Sequence, residues 1–193
     1  LTIFSVTFTA KIKQDHVPCI QIKGSSIFGA TEYLETIEEP TTLMVTNVDW
    51  ELYQEQYDID VYAYGGGWRF KATVGLFKDY IDKWSKIKAD SEGGQREIAK
   101  LFLNSLYGKF ASNPNVTGKI PVLEEGVVKL VMGEPATKDP IYTAAGVFIT
   151  SHARALTIRA AQRNYKWFAY ADTDSLHLIS DHWEIEEVGG KPV

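Results

Sequence analysis

Two aspartates one residue apart stand between apolar runs in "YADTDSLHL", residues 170–178. On a strand, residues two apart face the same way, and a hairpin turn would bring the carboxylates of Asp172 and Asp174 towards one point. Mg²⁺ prefers hard oxygen ligands and usually takes one or two carboxylates together with waters and phosphates. The pair is therefore a candidate divalent-metal site. A solvated turn held by aspartate side chains is the commoner use of such a sequence and stays as the alternative.

A second candidate site is a polar stripe on the helix that the sequence predicts for residues 95–110. At 100° per residue, two cations, an amide and an aromatic hydroxyl lie within about 80° of one another. These residues are Arg96, Lys100, Asn104 and Tyr107. Cations suit phosphate oxygens, and an aromatic ring suits the face of a base or sugar. The stripe thus predicts a phosphate-bearing ligand, with an ordinary solvated helix face as the alternative.

The charge around this stripe differs from that of the whole chain. Residues 83–119 carry seven cations and three anions, whereas the formal net charge of the chain is −5. A local basic region in an acidic protein favours anion binding at that region rather than over the whole surface. Metal-binding carboxylates together with such a helix are typical of phosphoryl or nucleotidyl transfer, in which the metal bridges phosphates.

The patterns along the chain predict an α+β fold with strands and helices partly segregated. Alternation predicts strands within 1–23, 41–47 and 60–70, and a strand–turn–strand at 166–179. Helices are predicted at 47–57, with an Asn or Asp cap, and at 76–90, 95–110 and 147–165. "GSSIFGA" (24–30) and "EEPTT" (38–42) are predicted as breaks, and 112–141 as a small β-rich segment.

Composition sets broad limits on the class of protein. The 193 residues are 45% hydrophobic and 23% charged, as in ordinary soluble proteins, and no apolar run approaches the length of a membrane span. The single Cys19 cannot form an internal disulfide and fits a reducing cytosol. No basic-plus-apolar leader opens the sequence. Because Leu1 begins directly in a strand-like pattern, we expect the chain to be a piece of a longer protein.

Two stretches resemble motifs of the family-B DNA polymerases. "KLFLNSLYGKF" (100–110) resembles motif B, and "YADTDS" (170–175) resembles motif C, in the order and spacing of the family. "GLFKDYIDKW", "ASNPNVTGKIP" and "KDPIYTAAGVFIT" resemble the protein-primed branch found in small tailed bacteriophages. The resemblance covers most of the chain. It implies a template-directed DNA polymerase in a bacterial or phage-infected cytoplasm, with primer–template DNA, dNTPs and a terminal priming protein as partners and no membrane.

The resemblance implies roles for the metal-binding and phosphate-binding residues. Asp174 matches the catalytic carboxylate that holds two Mg²⁺ ions, with Mn²⁺ as the alternative ion, and Asp172 matches its supporting partner. Lys100 matches the motif B lysine on the incoming triphosphate, and Lys88 a second phosphate contact from the preceding helix.

It also implies contacts with bases and with DNA. The residues matching the nascent base-pair pocket are Asn104, Tyr107 and Gly108. Thr150 and Arg154, in "TSHAR", match a primer–template contact, and Arg96 is the further cation that we assign to DNA.

The implied architecture is a helical-hairpin fingers region with a partial antiparallel-sheet palm and two β-rich insertions. Residues 1–75 resemble the insertion that contacts the priming protein, and residues 76–111 the fingers. Residues 112–142 resemble the insertion linked to strand displacement, and residues 143–193 part of the palm.

One departure limits the implied activity. The family's motif A, which carries another essential aspartate, is absent from the sequence, so the isolated chain is expected to be inactive. Two alternatives stand beside the polymerase: a non-catalytic prophage remnant that binds DNA or a protein partner, and a glycosyltransferase using the D-x-D pair. The glycosyltransferase leaves the motif B helix unexplained.

Overall fold

The computed structural model describes residues 1–22, 32–138, 142–172, 175–179, 187–188 and 191–192. The strands are β1 Thr2–Ile12, β2 Thr36–Thr46, β3 Tyr57–Arg69, β4 Asn115–Glu124, β5 Val127–Thr137, β6 Phe168–Asp172, β7 Ser175–Leu178, β8 Glu187–Val188 and β9 Lys191–Pro192. The helices are α1 Asn47–Gln56, α2 Lys78–Asp90, α3 Gly93–Phe110 and α4 Thr143–Arg163, followed by a 3₁₀ turn, Tyr165–Trp167. All strand pairs are antiparallel, which confirms the predicted α+β class.

The chain forms two compact units. The first joins Leu1–Thr73 to Phe148–Val193, and the second is Val74–Val147. One hydrophobic cluster in the first unit draws residues from both ends of the chain, including Phe8 of β1, Trp50 of α1 and Ile158 of α4. The segments predicted as the first insertion and as the partial palm therefore share a core. The functional names given to the four segments remain predictions.

The main sheet of the first unit has the order β2–β1–β3. The central strand β1 alternates as the sequence predicts, because Val6, Phe8 and Ala10 are buried while Thr7 and Thr9 face the other side. The predicted continuation at 17–22 is not a strand. There, Ile20 makes a single antiparallel bridge with Leu34.

The predicted break at "EEPTT" is wrong, because these residues belong to β2. Phe8 pairs with Thr41 and Ala10 with Ile37, so residues 38–40 of β2 oppose one residue of β1 in a bulge. A proline lacks the N–H of the ladder and is accommodated at bulges and on edge strands. Pro40 meets both conditions, because it lies in the bulge and β2 is an edge strand of this sheet. The other predicted break, residues 24–30, lies outside the described residues.

The glycine triplet of β3 forms a second bulge. Phe4 pairs with Gly67 and Val6 with Tyr64, so two glycines oppose Ser5. A Cβ added at Gly67 would lie 2.4 Å from the carbonyl oxygen of Ile3. The close approach of the two backbones therefore requires glycine at this position.

The second unit consists of two hairpins. Helices α2 and α3, linked by residues 91–92, pack through aromatic rings, with Trp84 stacked on Phe102 at 4.2 Å between centroids and 7° between planes. Strands β4 and β5 form a two-stranded hairpin closed at Glu125–Gly126, where both residues have positive φ, as in a type I′ turn. Both hairpins agree with the predicted elements. No helix among the described residues is long and apolar enough to cross a membrane.

Candidate functional site

The acidic pair lies on the hairpin of β6 and β7. Asp172 ends β6 and pairs with Ser175 at the start of β7, so residues 173–174 alone link the strands. Phe168 and Leu176 pack against the hydrophobic cluster of the first unit and anchor the hairpin there. The backbone thus confirms two paired strands within the predicted segment, although residues 166–167 belong to the 3₁₀ turn. Asp174 and the side chain of Asp172 lie outside the described residues.

No group of three or more His, Cys, Asp or Glu able to hold a metal is present in the described part of the chain. The donor set of the hairpin is two carboxylates, and carboxylate oxygens are hard donors of the kind that Mg²⁺ prefers. The chemistry of the pair therefore fits Mg²⁺, or Mn²⁺ in its place.

The polar stripe of α3 is open to solvent. Its four residues Arg96, Lys100, Asn104 and Tyr107 are all exposed. The face that flanks the stripe carries the buried Ala99 and the half-buried Leu103 and Leu106. Packing against α2 includes the Trp84–Phe102 stack and does not cover the stripe, which stays accessible to a ligand.

Three cations lie near the linked ends of α2 and α3. Arg96 donates from Nη1 to the carbonyl oxygen of Lys88 at 3.3 Å, and Lys88 stands in the last turn of α2. A cation at a helix C-terminus is favoured by the helix dipole. Lys100 follows one turn further along α3. Residues 90–97 also carry three acids, so these three cations are balanced by charge at this end, and the excess positive charge of residues 83–119 comes from lysines elsewhere in that stretch.

Gly108 lies within α3, where no neighbouring group among the described residues requires glycine. A Cβ added there would meet nothing within 4 Å. Glycine inside a helix costs about 1 kcal/mol relative to alanine. The open space beside Gly108 is therefore available to a group from outside the chain.

Arg154 of α4 is paired with a buried acid that the sequence patterns did not single out. Its Nη1 forms an ion pair with Oδ1 of Asp49 on α1, while 40% of the Arg154 side chain stays exposed. Thr150, one turn earlier, is half-buried. The Asp49 carboxylate also accepts a hydrogen bond from Ser151, which is 1% exposed. A cation beside a buried acid is held in place more firmly than a surface cation.

The N-terminal cap of α1 is Thr46, not the predicted Asn or Asp. The Thr46 hydroxyl accepts a hydrogen bond from the Asp49 amide at 3.0 Å, and it also donates to the Asp49 carboxylate at 2.9 Å. The first bond is that of a capping box, but the Asp49 carboxylate accepts from the Thr46 hydroxyl rather than from the backbone N–H that a capping box uses. The "T-x-x-D" spacing of residues 46–49 is the sequence signal that could have predicted this contact between Thr46 and Asp49.

Two further polar connections join α4 to the N-terminal part of the chain. Arg159 donates to both carboxylate oxygens of Glu55, at 2.9 and 2.6 Å. The side-chain amide of Gln162 donates to the Asp15 carbonyl at 3.0 Å and accepts from the Val17 amide at 2.9 Å. Together with the Asp49–Arg154 pair, they fix α4 to the N-terminal segment at three points.

Burial and charge shift several pKa values around this interface. Burial raises the pKa of the Cys19 thiol to about 12, with Arg154 acting in the opposite direction. Burial likewise raises the pKa of Tyr53 and Tyr57. The hydrogen bond from Arg159 lowers the pKa of Glu55. The interface therefore holds its thiol and phenols neutral, and it holds Glu55 ionised.

The predicted residues fall into two sets. The second unit holds Lys88 and α3 with its polar stripe and Gly108. The first unit holds Thr150 and Arg154 on α4, and Asp172 at the end of β6.

Comparison with known proteins shows which class of protein this fold and these motifs belong to. The sequence profile of the family described as DNA polymerase type B, organellar and viral, matches residues 1–184. The chain belongs to this family. The resemblance to the polymerases of small tailed bacteriophages is also confirmed, as the individual relatives show.

Two curated relatives are the DNA polymerases of Bacillus phages phi29 and Nf. The chain is 54% identical to the phi29 protein over 170 residues, which is 87% of this chain and 30% of that protein. It is 49% identical to the Nf protein over 190 residues, which is 97% of this chain and 33% of that protein. A solved structure of phi29 DNA polymerase complexed with primer–template DNA and incoming nucleotide substrates matches with a TM-score of 0.90 at 50% identity. That match covers 95% of this chain and 32% of the phi29 chain, so the chain spans about a third of these relatives.

Proposed function

We propose that this chain forms the fingers and part of the palm of a template-directed, protein-primed DNA polymerase that adds dNTPs to a 3′-hydroxyl. The observation that carries the proposal is the occurrence of an exposed cationic and aromatic stripe on α3, together with the acidic β6–β7 hairpin, in a chain of the type B family. A phosphate-binding helix and a carboxylate pair are the two protein parts that nucleotidyl transfer requires.

Asp172 and Asp174 are the residues that would hold Mg²⁺. When bound, the metal supplies Lewis-acid stabilisation of the charge that develops on the phosphate oxygens. The two-residue link between β6 and β7 keeps both aspartates within one short hairpin, and the anchoring of that hairpin by Phe168 and Leu176 limits its movement.

The α3 stripe binds the incoming nucleotide in this proposal. Lys100 and Lys88 neutralise the triphosphate, since charge-assisted contacts to phosphate are roughly twice as strong as neutral hydrogen bonds. The ring of Tyr107 and the amide of Asn104 meet the base and sugar, and the space beside Gly108 admits them.

Primer–template DNA is bound through Thr150, Arg154 and Arg96. The solved phi29 complex contains primer–template DNA and nucleotides, which supports this assignment. We further propose that residues 1–75 contact a terminal priming protein and that residues 112–142 assist strand displacement. The isolated chain binds DNA through the same basic residues.

The test is a chimera in which this chain replaces the corresponding third of phi29 DNA polymerase. The chimera should extend a primed template with dNTPs. Asp174→Asn should lower the rate by at least about a thousandfold, since metal coordination contributes several kcal/mol to the transition state. The matched control is Asp79→Asn, an exposed acid on α2. Full activity of the Asp174→Asn chimera refutes the catalytic role, and an intact chimera without any incorporation refutes the polymerase assignment.

The isolated chain supplies a second test. Its affinity for a primer–template duplex should fall steeply as salt rises, because cation–phosphate contacts release counterions. Affinity that does not change between low and moderate salt contradicts DNA binding through the basic residues.

A further inference from the structure

A buried cluster of two hydroxyls and one carboxylate lies where α1 meets α4. It consists of Thr46, Asp49 and Ser151, which we call the hydroxyl–carboxylate cluster; they are 2%, 7% and 1% exposed. A carboxylate so deeply buried is costly unless cations and hydrogen-bond donors surround it. The resemblance to polymerases assigns no role to any of these three residues.

The hydrogen bonds of the cluster set the orientation of the Asp49 carboxylate. Oδ2 accepts from the Ser151 hydroxyl at 2.7 Å and from the Thr46 hydroxyl at 2.9 Å. The two hydroxyl oxygens are 3.1 Å apart, so each side chain of the cluster contacts the other two. Since Oδ2 is held by donors from both sides of the interface, Oδ1 can point in only one direction. In that direction lies Nη1 of Arg154.

The bond from Oδ1 leaves part of the Arg154 side chain exposed. Nη1 forms the ion pair with Asp49, and 40% of the side chain is exposed. A guanidinium has five N–H donors in a rigid plane, so fixing one of them fixes the direction of the others. A free arginine loses about 2 kcal/mol of rotamer entropy when it is immobilised on a ligand. An arginine that is already held in one direction loses less.

We propose that Thr46, Asp49 and Ser151 are positioning residues that direct the exposed donors of Arg154 at a phosphodiester of the bound primer–template. The inference rests on the proposed function, which makes Arg154 a DNA contact. The neighbouring Glu55–Arg159 pair already joins α1 to α4 with two hydrogen bonds. The hydroxyls add no charge to Asp49, so they stabilise and orient its carboxylate without changing the net charge.

The effect of neutralising Asp49 distinguishes positioning from simple charge compensation. If Asp49 only offset the charge of Arg154, then Asp49→Asn would strengthen DNA binding, because a negative charge near the phosphates is removed. If Asp49 positions Arg154, then Asp49→Asn weakens DNA binding. Ser151→Ala leaves the net charge unchanged and should weaken binding as well.

The experiment measures binding of the intact chain to a labelled primer–template duplex by fluorescence anisotropy at fixed salt. We expect Arg154→Ala to weaken binding about tenfold and Ser151→Ala and Asp49→Asn about threefold to tenfold, the range that corresponds to one lost hydrogen bond. Glu55→Gln is the matched control, because it removes an acid from the same helix pair, and its affinity should stay within about twofold of the unmodified chain.

The double variant Ser151→Ala, Arg154→Ala should bind like Arg154→Ala alone, because nothing remains to be positioned. A further loss in the double variant overturns the inference, as does tighter binding by Asp49→Asn or an equal loss in Glu55→Gln. If Arg154→Ala binds as tightly as the unmodified chain, the proposed DNA contact itself is wrong.

A measurement without DNA tests the positioning step by itself. Rotation about the Cζ–Nη bonds of Arg154, followed by ¹⁵N NMR, should be slow in the unmodified chain. Ser151→Ala should speed it severalfold, while Glu55→Gln should leave it unchanged. Fast rotation in the unmodified chain, or no response to Ser151→Ala, overturns the inference whatever the DNA result. Amide exchange of α1 and α4 in each variant confirms that the helices remain folded.

Discussion

Replacing Gly67 with alanine should open the main sheet between its central strand and β3. The added Cβ would lie 2.4 Å from the Ile3 carbonyl oxygen and 2.8 Å from Cα of Phe4. The first of these contacts is 1.0 Å shorter than the 3.4 Å at which ordinary van der Waals contact begins (3.4 − 2.4). Both neighbouring atoms are backbone, so no rotamer change can relieve the overlap. The strands must separate instead.

The cost follows from two contributions. Overpacking of a fixed site costs about 1–3 kcal/mol, and a ladder hydrogen bond lost by strand separation costs about 1 kcal/mol. We therefore expect Gly67→Ala to lower the free energy of unfolding by about 2–4 kcal/mol. Two neighbouring positions provide the controls. A Cβ at Gly66 meets nothing within 4 Å, whereas one at Gly65 lies 3.0 Å from the Ser5 side chain.

Amide hydrogen exchange, read by mass spectrometry on peptides from β1 and β3, is the assay. Because about 1.4 kcal/mol corresponds to tenfold, exchange of these amides in Gly67→Ala should be about 30-fold to 1000-fold faster. Gly66→Ala should be neutral or slightly stabilising, since alanine restricts the unfolded chain. Gly65→Ala should lie between the two. Exchange in Gly67→Ala no faster than in Gly66→Ala would refute the steric reasoning.

Three further outcomes are expected. Trp84→Ala removes the ring stacked on Phe102 and should destabilise the helical hairpin by about 1–2 kcal/mol. Trp84→Phe keeps a ring there and should retain most of that stability. Equal amide exchange of α3 in both variants would contradict this. Since Arg159 lowers the pKa of Glu55, their bond stabilises the fold above the unfolded pKa of 4.5 and is lost as pH falls through the lower folded pKa. Glu55→Gln should therefore reduce the loss of folding free energy on the acid side by less than about 1 kcal/mol, read from melting temperature against pH. Superimposable pH curves would show that the bond contributes nothing. Cys19, buried and with its pKa raised to about 12, should resist iodoacetamide at pH 8 until urea is added, and rapid labelling of the folded chain would contradict its burial.

Elements defined by local periodicity could be predicted closely. The helix predicted at 76–90 is Lys78–Asp90, and the one predicted at 95–110 is Gly93–Phe110. Both follow from side chains three and four residues apart, which the sequence displays directly. Helix α4 begins four residues earlier than predicted, at Thr143. The "EEPTT" stretch was misassigned because a bulge depends on the partner strand, which the local sequence does not contain.

Local patterns also predicted some contacts of the candidate site, whereas contacts between distant parts of the sequence could not be predicted. The α3 stripe could be predicted because its residues share one helix face, and the D-x-D hairpin because its strands are adjacent in sequence. The partner of Arg154 could not, since Asp49 stands 105 positions away and meets it only through tertiary packing. A buried acid between two apolar residues, Val48 and Trp50, looks like an ordinary surface position of a short helix when the sequence alone is considered.

The core shared by the two ends of the chain has a consequence for synthesis on the ribosome. Residues up to Arg69 complete the three-stranded sheet, but Ala161 of the same core is made 92 residues later (161 − 69). At about 5–20 residues per second, the nascent sheet waits roughly 5–20 s with an apolar face exposed to chaperones. The intervening hairpins pair only neighbouring segments, so they emerge ready to fold. The middle of this polypeptide is therefore expected to fold before its ends meet.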